Sequence, residues 1–339
     1  MKTAHLFQFD LFSNKRLSSV TTLAELIEQD KQQREALLEA RYPNYQKLVI
    51  LSFGGGQDST AMLYKYVYDP LFRKEFAPQD FIVVMSDTGD EHEETYEHVE
   101  AVKAFCRQHH IKFFFLTADM GYHGATWPSL RQQYRRTNTC GSKAFRKNCT
   151  DNLKIKVIYR FLEDYLKSAY QLLQPVGDKA TIKEFVENHG KITVLIGIAK
   201  GEEKRIKKPK NLDAWMLKCV DRRFPLVELG LDRKGCQDYI SSVGHRVPPP
   251  SNCKLCPYMD EIELLWLYYN HPGDFAEWVE IEANKVAKFA DREVNLGVWA
   301  DGRLLPQVLE DAKKQFSHLT REQLNEYKFS HGHCVASQY

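Results

Sequence analysis

This chain lacks long apolar runs. None of its 339 residues belongs to a stretch approaching the ~20 consecutive apolar residues that cross a bilayer, so no membrane contact is expected. The N-terminus, "MKTAHLFQFDLFSNKR", has neither the apolar core nor the small-residue cleavage site of a signal peptide, and a cytoplasmic protein is the expectation. Net charge is almost missing as well. Lys and Arg number 47 and Asp and Glu 45, leaving +2, so bulk electrostatics select no partner. Internal repeats and low-complexity tracts are absent, which argues against solenoids and disordered linkers. The remaining balance, 43% hydrophobic and 27% charged, is that of a globular protein, and the length is enough for roughly two domains.

Eight cysteines are present. In a cytosolic chain they point to free thiols, a metal site or sulfur chemistry rather than to disulfides. Cys106, Cys219 and Cys236 fall in or beside periodic apolar segments and read as packing residues.

Apolar runs of strand length alternate with helical patterns. Residues 22–41 predict a helix, with Thr21 or Thr22 as cap and Leu23, Leu26, Ile27, Leu37 and Leu38 near one face. "KLVILS" (47–52), "FIVVMS" (81–86), "IKFFFLT" (111–117) and "KITVLIGI" (191–198) predict strands, with helices to about Tyr68 and His109 and another from Cys149. Such spacing means βαβ units and a parallel sheet. Residues 118–150 break the rhythm and read as a long functional loop, and 171–190 as a surface excursion. A short helix is expected over 231–241. The last 80 or so residues read as mostly helical, anchored by Trp266, Trp278 and Trp299. The expected organisation is an N-terminal helical extension (1–46), an α/β nucleotide-binding domain (47–250) and a cysteine-bearing helical region (251–339).

The first strand ends in "SFGGGQDST". A strand that runs through glycines into a helix aims several backbone N–H groups and the positive end of the helix dipole at one point, which favours an anion. Gly54, Gly55 and Gly56 permit the turn, and Ser52, Ser59 and Thr60 add hydroxyls. The Lys of the GxxxxGK[ST] loop is absent, and so is GxGxxG, which excludes those two phosphate loops. Asp58 offers an oxygen ligand for Mg²⁺. Asp87 ends the second strand at the same sheet edge, where ligands of open α/β sheets bind. Lys200, Lys204 and Arg205 follow a further strand end and could neutralise phosphates, Lys204 being equally readable as a surface lysine.

"CKLC" places Cys253 and Cys256 at half-metal-site spacing, Cys149 opens a helix, and Cys140 lies nine residues before it. Cys140, Cys149, Cys253 and Cys256 form the candidate ligand set for a [4Fe–4S] cluster or a zinc ion. Cys334 reads first as a plain tail residue, and otherwise could replace Cys140 or act as a mobile nucleophile. From Arg131 to Lys147 the chain carries six basic residues and no acidic one, interleaved with Tyr134 and Phe145. Cations and aromatics in that mixture suit nucleic acid.

The glycine turn resembles the SGGxDS signature of the PP-loop ATP pyrophosphatases, with Phe53 inserted as in their sulfonucleotide-reductase branch. "DTGDEHEET", "NCTDNLKI", "IGIAKGEEKRIKK" and "SNCKLCPY" resemble further elements of that branch, in the same order. Ala199 stands where that branch has Arg, and the C-terminal "ECGLH"-type motif of the reductases is missing. The resemblance implies an adenine nucleotide alpha-hydrolase-like α/β fold, a parallel twisted sheet with helices on both faces, followed by a helical C-terminal region. It implies ATP and Mg²⁺ bound by residues 52–60 and Asp87, with Gln57 among them, and catalytic roles for Asp58, Cys149, Lys204 and Arg205. The subgroup most similar is the ATP pyrophosphatase of bacterial DNA phosphorothioation (the DndC and SspD type). That would make a cysteine desulfurase the sulfur donor, DNA or RNA the acceptor, and other modification or defence subunits the partners. A sulfonucleotide reductase, a tRNA thiolase and a non-catalytic nucleotide-binding module are the alternatives.

Overall fold

The computed structural model describes residues 23–41, 46–145, 147–172, 177–292 and 296–330. Five strands form one parallel sheet: β1 (Leu48–Ser52), β2 (Asp80–Ser86), β3 (Lys112–Leu116), β4 (Ile192–Ile196) and β5 (Val220–Arg223), in the order β3-β2-β1-β4-β5. The central strands are continuous apolar runs because both of their faces are covered. Val49, Leu51, Val83 and Met85 face one layer, packed by α2 (Gln57–Tyr68), α3 (Pro70–Phe76) and α4 (Glu93–Gln108). Leu48, Ile50, Ile82 and Val84 face the other. That second layer holds α6 (Lys156–Tyr170), which follows α5 (Leu130–Thr137), then α7 (Ala180–His189) and α8 (Ala214–Cys219).

After β5 come α9 (Pro225–Glu228) and α10 (Arg233–Ser242), which return to the first layer. The chain ends in α11 (Glu261–Asn270), α12 (Pro272–Lys288), α13 (Leu305–Gln315) and α14 (Arg321–Ser330). These build a separate apolar cluster in which Trp266, Trp278 and Trp299 are buried, as the sequence predicts. The cluster also takes in Leu130, Tyr134, Cys140 and Leu153 from the segment between β3 and α6. Cys106, Cys219 and Cys236 are buried packing residues. Among the described residues no helix is long and apolar enough to cross a membrane.

Three sequence expectations need correction. The 118–150 segment is not all loop: Ser129 caps α5, its side chain accepting from the Gln132 N–H. Residues 180–189 are not a surface excursion but a helix that buries Ile182 and Phe185 completely. β5 went unread because "VDRR" is short and polar. The predicted helix over 22–41 forms as α1 (Leu23–Arg41), with Leu37 exposed; its expected caps Thr21 and Thr22 lie outside the described residues.

Candidate active site at the glycine turn

The sheet order reverses between β1 and β4, and a cavity of about 960 Å³ opens at their C-terminal ends. Open α/β sheets bind ligands at this kind of switch point. Ser52, Ser86 and Gly197 form its floor, and the glycine turn forms one side.

The three glycines are not equivalent. Gly55 has φ +74°, and a Cβ there would lie 3.0 Å from both Met85 Cε and Thr95 Cγ2. Gly56 caps α2 with the Ser251 backbone so near that a Cβ would lie 3.2 Å from its nitrogen. Gly54 would meet nothing closer than 3.8 Å. The turn is held from inside: Ser59 Oγ donates to the Gly56 carbonyl (3.1 Å) and accepts from the Gly54 N–H (3.2 Å). Thr60 Oγ1 donates to the same carbonyl (2.8 Å) and meets His98 Nε2 (2.9 Å). No side chain caps α2, so its first N–H groups are left for an anion.

Asp58 is partly buried on the cavity wall. Burial raises its pKa, and Arg233, 3.8 Å away, pulls it back. Its Oδ1 is buried without a hydrogen-bond partner. A buried carboxylate oxygen of that kind fits a hard cation such as Mg²⁺. Arg205 also lines the cavity and pairs with Glu202, which in turn holds Arg233 at 2.5 Å.

Several expected contacts are placed elsewhere. Lys204 and Lys200 are exposed and do not line the cavity. Asp87 is turned into its own loop, where Oδ1 accepts from the Gly89 N–H (2.8 Å) and the Tyr96 hydroxyl (2.9 Å). Phe53 and Gln57 do border the cavity, although the Phe53 ring packs in the core, edge-on to Phe113 at 5.9 Å, and the Gln57 amide donates to the Pro248 carbonyl (2.9 Å) and the Phe329 carbonyl (3.4 Å). The tertiary fold brings in further groups. Lys147, Lys154, Lys207, Arg222 and Arg233 add positive charge, and Ile155, Ile158, Tyr159, Leu212 and Met216 make an apolar lobe. Tyr159 meets Trp215 edge-on at 5.0 Å behind that lobe. Lys154 and Ile155 arrive on a π-helical turn over 151–155, and Ser86 Oγ donates to its Leu153 carbonyl (2.5 Å). Such turns interrupt α-helices mostly where function needs them.

The cysteine candidates gather beside this cavity. Cys140, Cys149, Cys253 and Cys256 join one apolar cluster; burial, and then the nearness of Cys149, Cys140 and Cys256, pushes the Tyr134 hydroxyl's pKa up. Burial pushes the Cys140 thiol up to about 12; burial and then the Glu91 charge push Cys253 up strongly. Four sulfur donors in an apolar setting fit a thiophilic metal. Among the described residues no three of them lie within 4.8 Å of one another. Zinc and an iron–sulfur cluster both take thiolates of this kind. Cys334 lies outside the described residues.

The basic segment is more neutralised than its sequence implies. Arg131 pairs with Asp90 (2.8 Å), Asp274 (2.6 Å) and Glu277 (2.9 Å), and Arg135 pairs with Glu277. Tyr134 is buried and cannot stack on a base, while Phe145 is exposed. Lys143 lies 3.6 Å from the centre of the Trp299 ring.

No protein family matches the chain in a scan of family profiles, and no curated protein matches it. Among solved structures, the U34-tRNA thiolase NcsA from Methanococcus maripaludis with its [4Fe-4S] cluster is similar at 14% identity and a TM-score of 0.35, covering 87% of this chain and 82% of that one. That likeness is too loose to carry an argument about activity.

Proposed function

We propose that the protein is an ATP pyrophosphatase that adenylylates an acceptor oxygen for replacement by sulfur. The observation that carries this reading is the glycine turn, whose uncapped helix start, buried Asp58 oxygen and arginine pair converge on one cavity at the sheet's switch point. The α2 N–H groups, Arg205 and Arg233 hold the β- and γ-phosphates. Asp58 holds Mg²⁺, which when bound neutralises phosphate charge. The apolar lobe around Tyr159 and Met216 receives the base. An acceptor oxygen attacks the α-phosphorus, the bond to the bridging oxygen breaks, and pyrophosphate leaves toward the arginines. The outer sulfur of a persulfide then attacks the activated centre, AMP leaves carrying the former acceptor oxygen, and a thiol reductant supplies the two electrons that cleave the remaining S–S bond. Cys149, Cys253 and Cys256, with Cys140, would hold the iron–sulfur cluster that serves this sulfur step, fed by a cysteine desulfurase.

The acceptor we favour is a nucleic-acid backbone phosphate, as in DNA phosphorothioation. Lys147 on the cavity wall and the exposed Phe145 support it, because they offer a cation and a stacking face at the entrance. Thiolation of tRNA uses the same adenylylation and fits the same cavity. The decisive experiment measures pyrophosphate release from ATP and Mg²⁺ with DNA or tRNA added. Stimulation by DNA, lost in Asp58→Ala, is the expected result. Stimulation by tRNA alone would move the acceptor, and no release with either would remove the enzyme reading.

A further inference from the structure

A second cluster of donors lies outside the cavity. His92 precedes α4, Glu93 is the first residue of α4, and His271 precedes α12. One nitrogen of each histidine and one Glu93 oxygen all lie within 4.8 Å of one another. His92 is buried, with its ring 5.3 Å from Trp266 and 5.7 Å from the His271 ring. His271 Nδ1 lies 3.7 Å from Asp274 Oδ2. That is beyond hydrogen-bond length, and Asp274 Oδ1 is held by Arg131 at 2.6 Å.

We infer that His92, Glu93 and His271 form a binding site for a transition-metal dication, separate from the cysteines and the nucleotide cavity. Two imidazoles and one carboxylate are a common ligand set for zinc and leave a coordination position open. The donor types decide the class of ion. His92 and His271 are the N-cap residues of α4 and α12, and the Lys254 ammonium pairs with Glu93 and lies 3.7 Å from Asp274 Oδ2. One carboxylate beside two imidazoles offers little to Mg²⁺ and Ca²⁺, which take oxygen ligands. Imidazole donors favour Zn²⁺, Ni²⁺ or Co²⁺ instead. Binding requires Lys254 to leave Glu93, and its long flexible stem allows the ammonium to move to solvent. A metal held here ties α4, in the sheet layer, to α12, in the helical region.

The test uses the full-length protein, purified anaerobically and titrated with Co²⁺, read by difference absorption and by thermal melting. The expected result is one bound equivalent with ligand-field bands, no thiolate-to-cobalt charge transfer and a raised melting temperature. His271→Ala removes that equivalent; the side chain caps nothing, so the fold is expected to survive. Lys254→Met tightens it by freeing Glu93. The inference is overturned if His271→Ala and Glu93→Gln both bind Co²⁺ as the wild type does. It is equally overturned if the bound equivalent shows thiolate charge transfer, which would place the ion on the cysteines.

Discussion

Glu91 and Cys253, 162 residues apart in the chain, pair backbone to backbone as an isolated antiparallel bridge. The Cys253 thiol donates to Thr88 Oγ1 at 3.3 Å and lies 4.0 Å from Glu91 Oε1, while Lys154 on the cavity wall reaches the same oxygen at 3.5 Å. The loop after β2 therefore joins the four-cysteine cluster to the cavity at the glycine turn. For Cys253→Ser, the expected outcome is a loss of iron and sulfide after anaerobic preparation, with ATP binding kept. Cys219→Ser and Cys236→Ser serve as controls. Wild-type iron in Cys253→Ser would place the centre elsewhere.

The glycines give a graded prediction. Gly55→Ala forces a strained φ and costs about 1–3 kcal/mol, besides weakening ATP binding. Gly56→Ala pushes the turn against Ser251 and lowers ATP affinity most. Gly54→Ala stays within about 0.5 kcal/mol. Calorimetric ATP titration beside urea melts reads both effects. Equal behaviour of all three variants would contradict the geometry.

Among the cations, Arg233→Ala and Arg205→Ala are expected to weaken ATP binding about 10-fold or more, the scale of a charge-assisted hydrogen bond. Lys204→Ala, on the surface, is expected to change it less than about twofold. A large loss in Lys204→Ala would show that the segment after β4 closes over the nucleotide.

His98 supplies a pH dependence. Burial, aided by the Arg246 charge, pushes its pKa down to about 4. In the unfolded chain it takes a proton near pH 6.5. The folded state keeps it neutral, so its contribution is fully present above pH 6.5 and is lost as pH falls toward 4. At pH 5 the loss relative to pH 7 is about 2 kcal/mol. Urea melts at the two pH values should show a smaller drop in His98→Gln, which can still reach Thr60. An unchanged drop would assign the acid sensitivity to other groups.

The sequence made the central strands legible because buried parallel strands are unbroken apolar runs, as in "LVILS" and "FIVVMS". The glycine turn was legible because its constraint is local: φ at Gly55 and crowding at Gly56. α5 was hidden because only Leu130 and Tyr134 of "LRQQYRRT" are buried. The cavity's other cations were hidden for a different reason. Arg222 lies in β5 and Arg233 begins α10, and nothing local announces that both line the cavity or that Arg233 meets Asp58. The basic segment misled in the same way, since Arg131 meets Asp90 well upstream and Asp274 and Glu277 in α12, more than 140 residues on.

The edge-on contact of Trp215 with Tyr159 has an optical consequence. Trp127, Trp266, Trp278 and Trp299, the other four of the five tryptophans, all belong to the cysteine-side cluster. Only Trp215 stands behind the apolar lobe of the cavity, against a ring that lines it. Excited together, the indoles divide into two reporters by place: four emit from the helical region, one from the nucleotide wall. In Trp215→Phe the emission change caused by ATP should vanish, while quenching by an assembled iron–sulfur centre should remain.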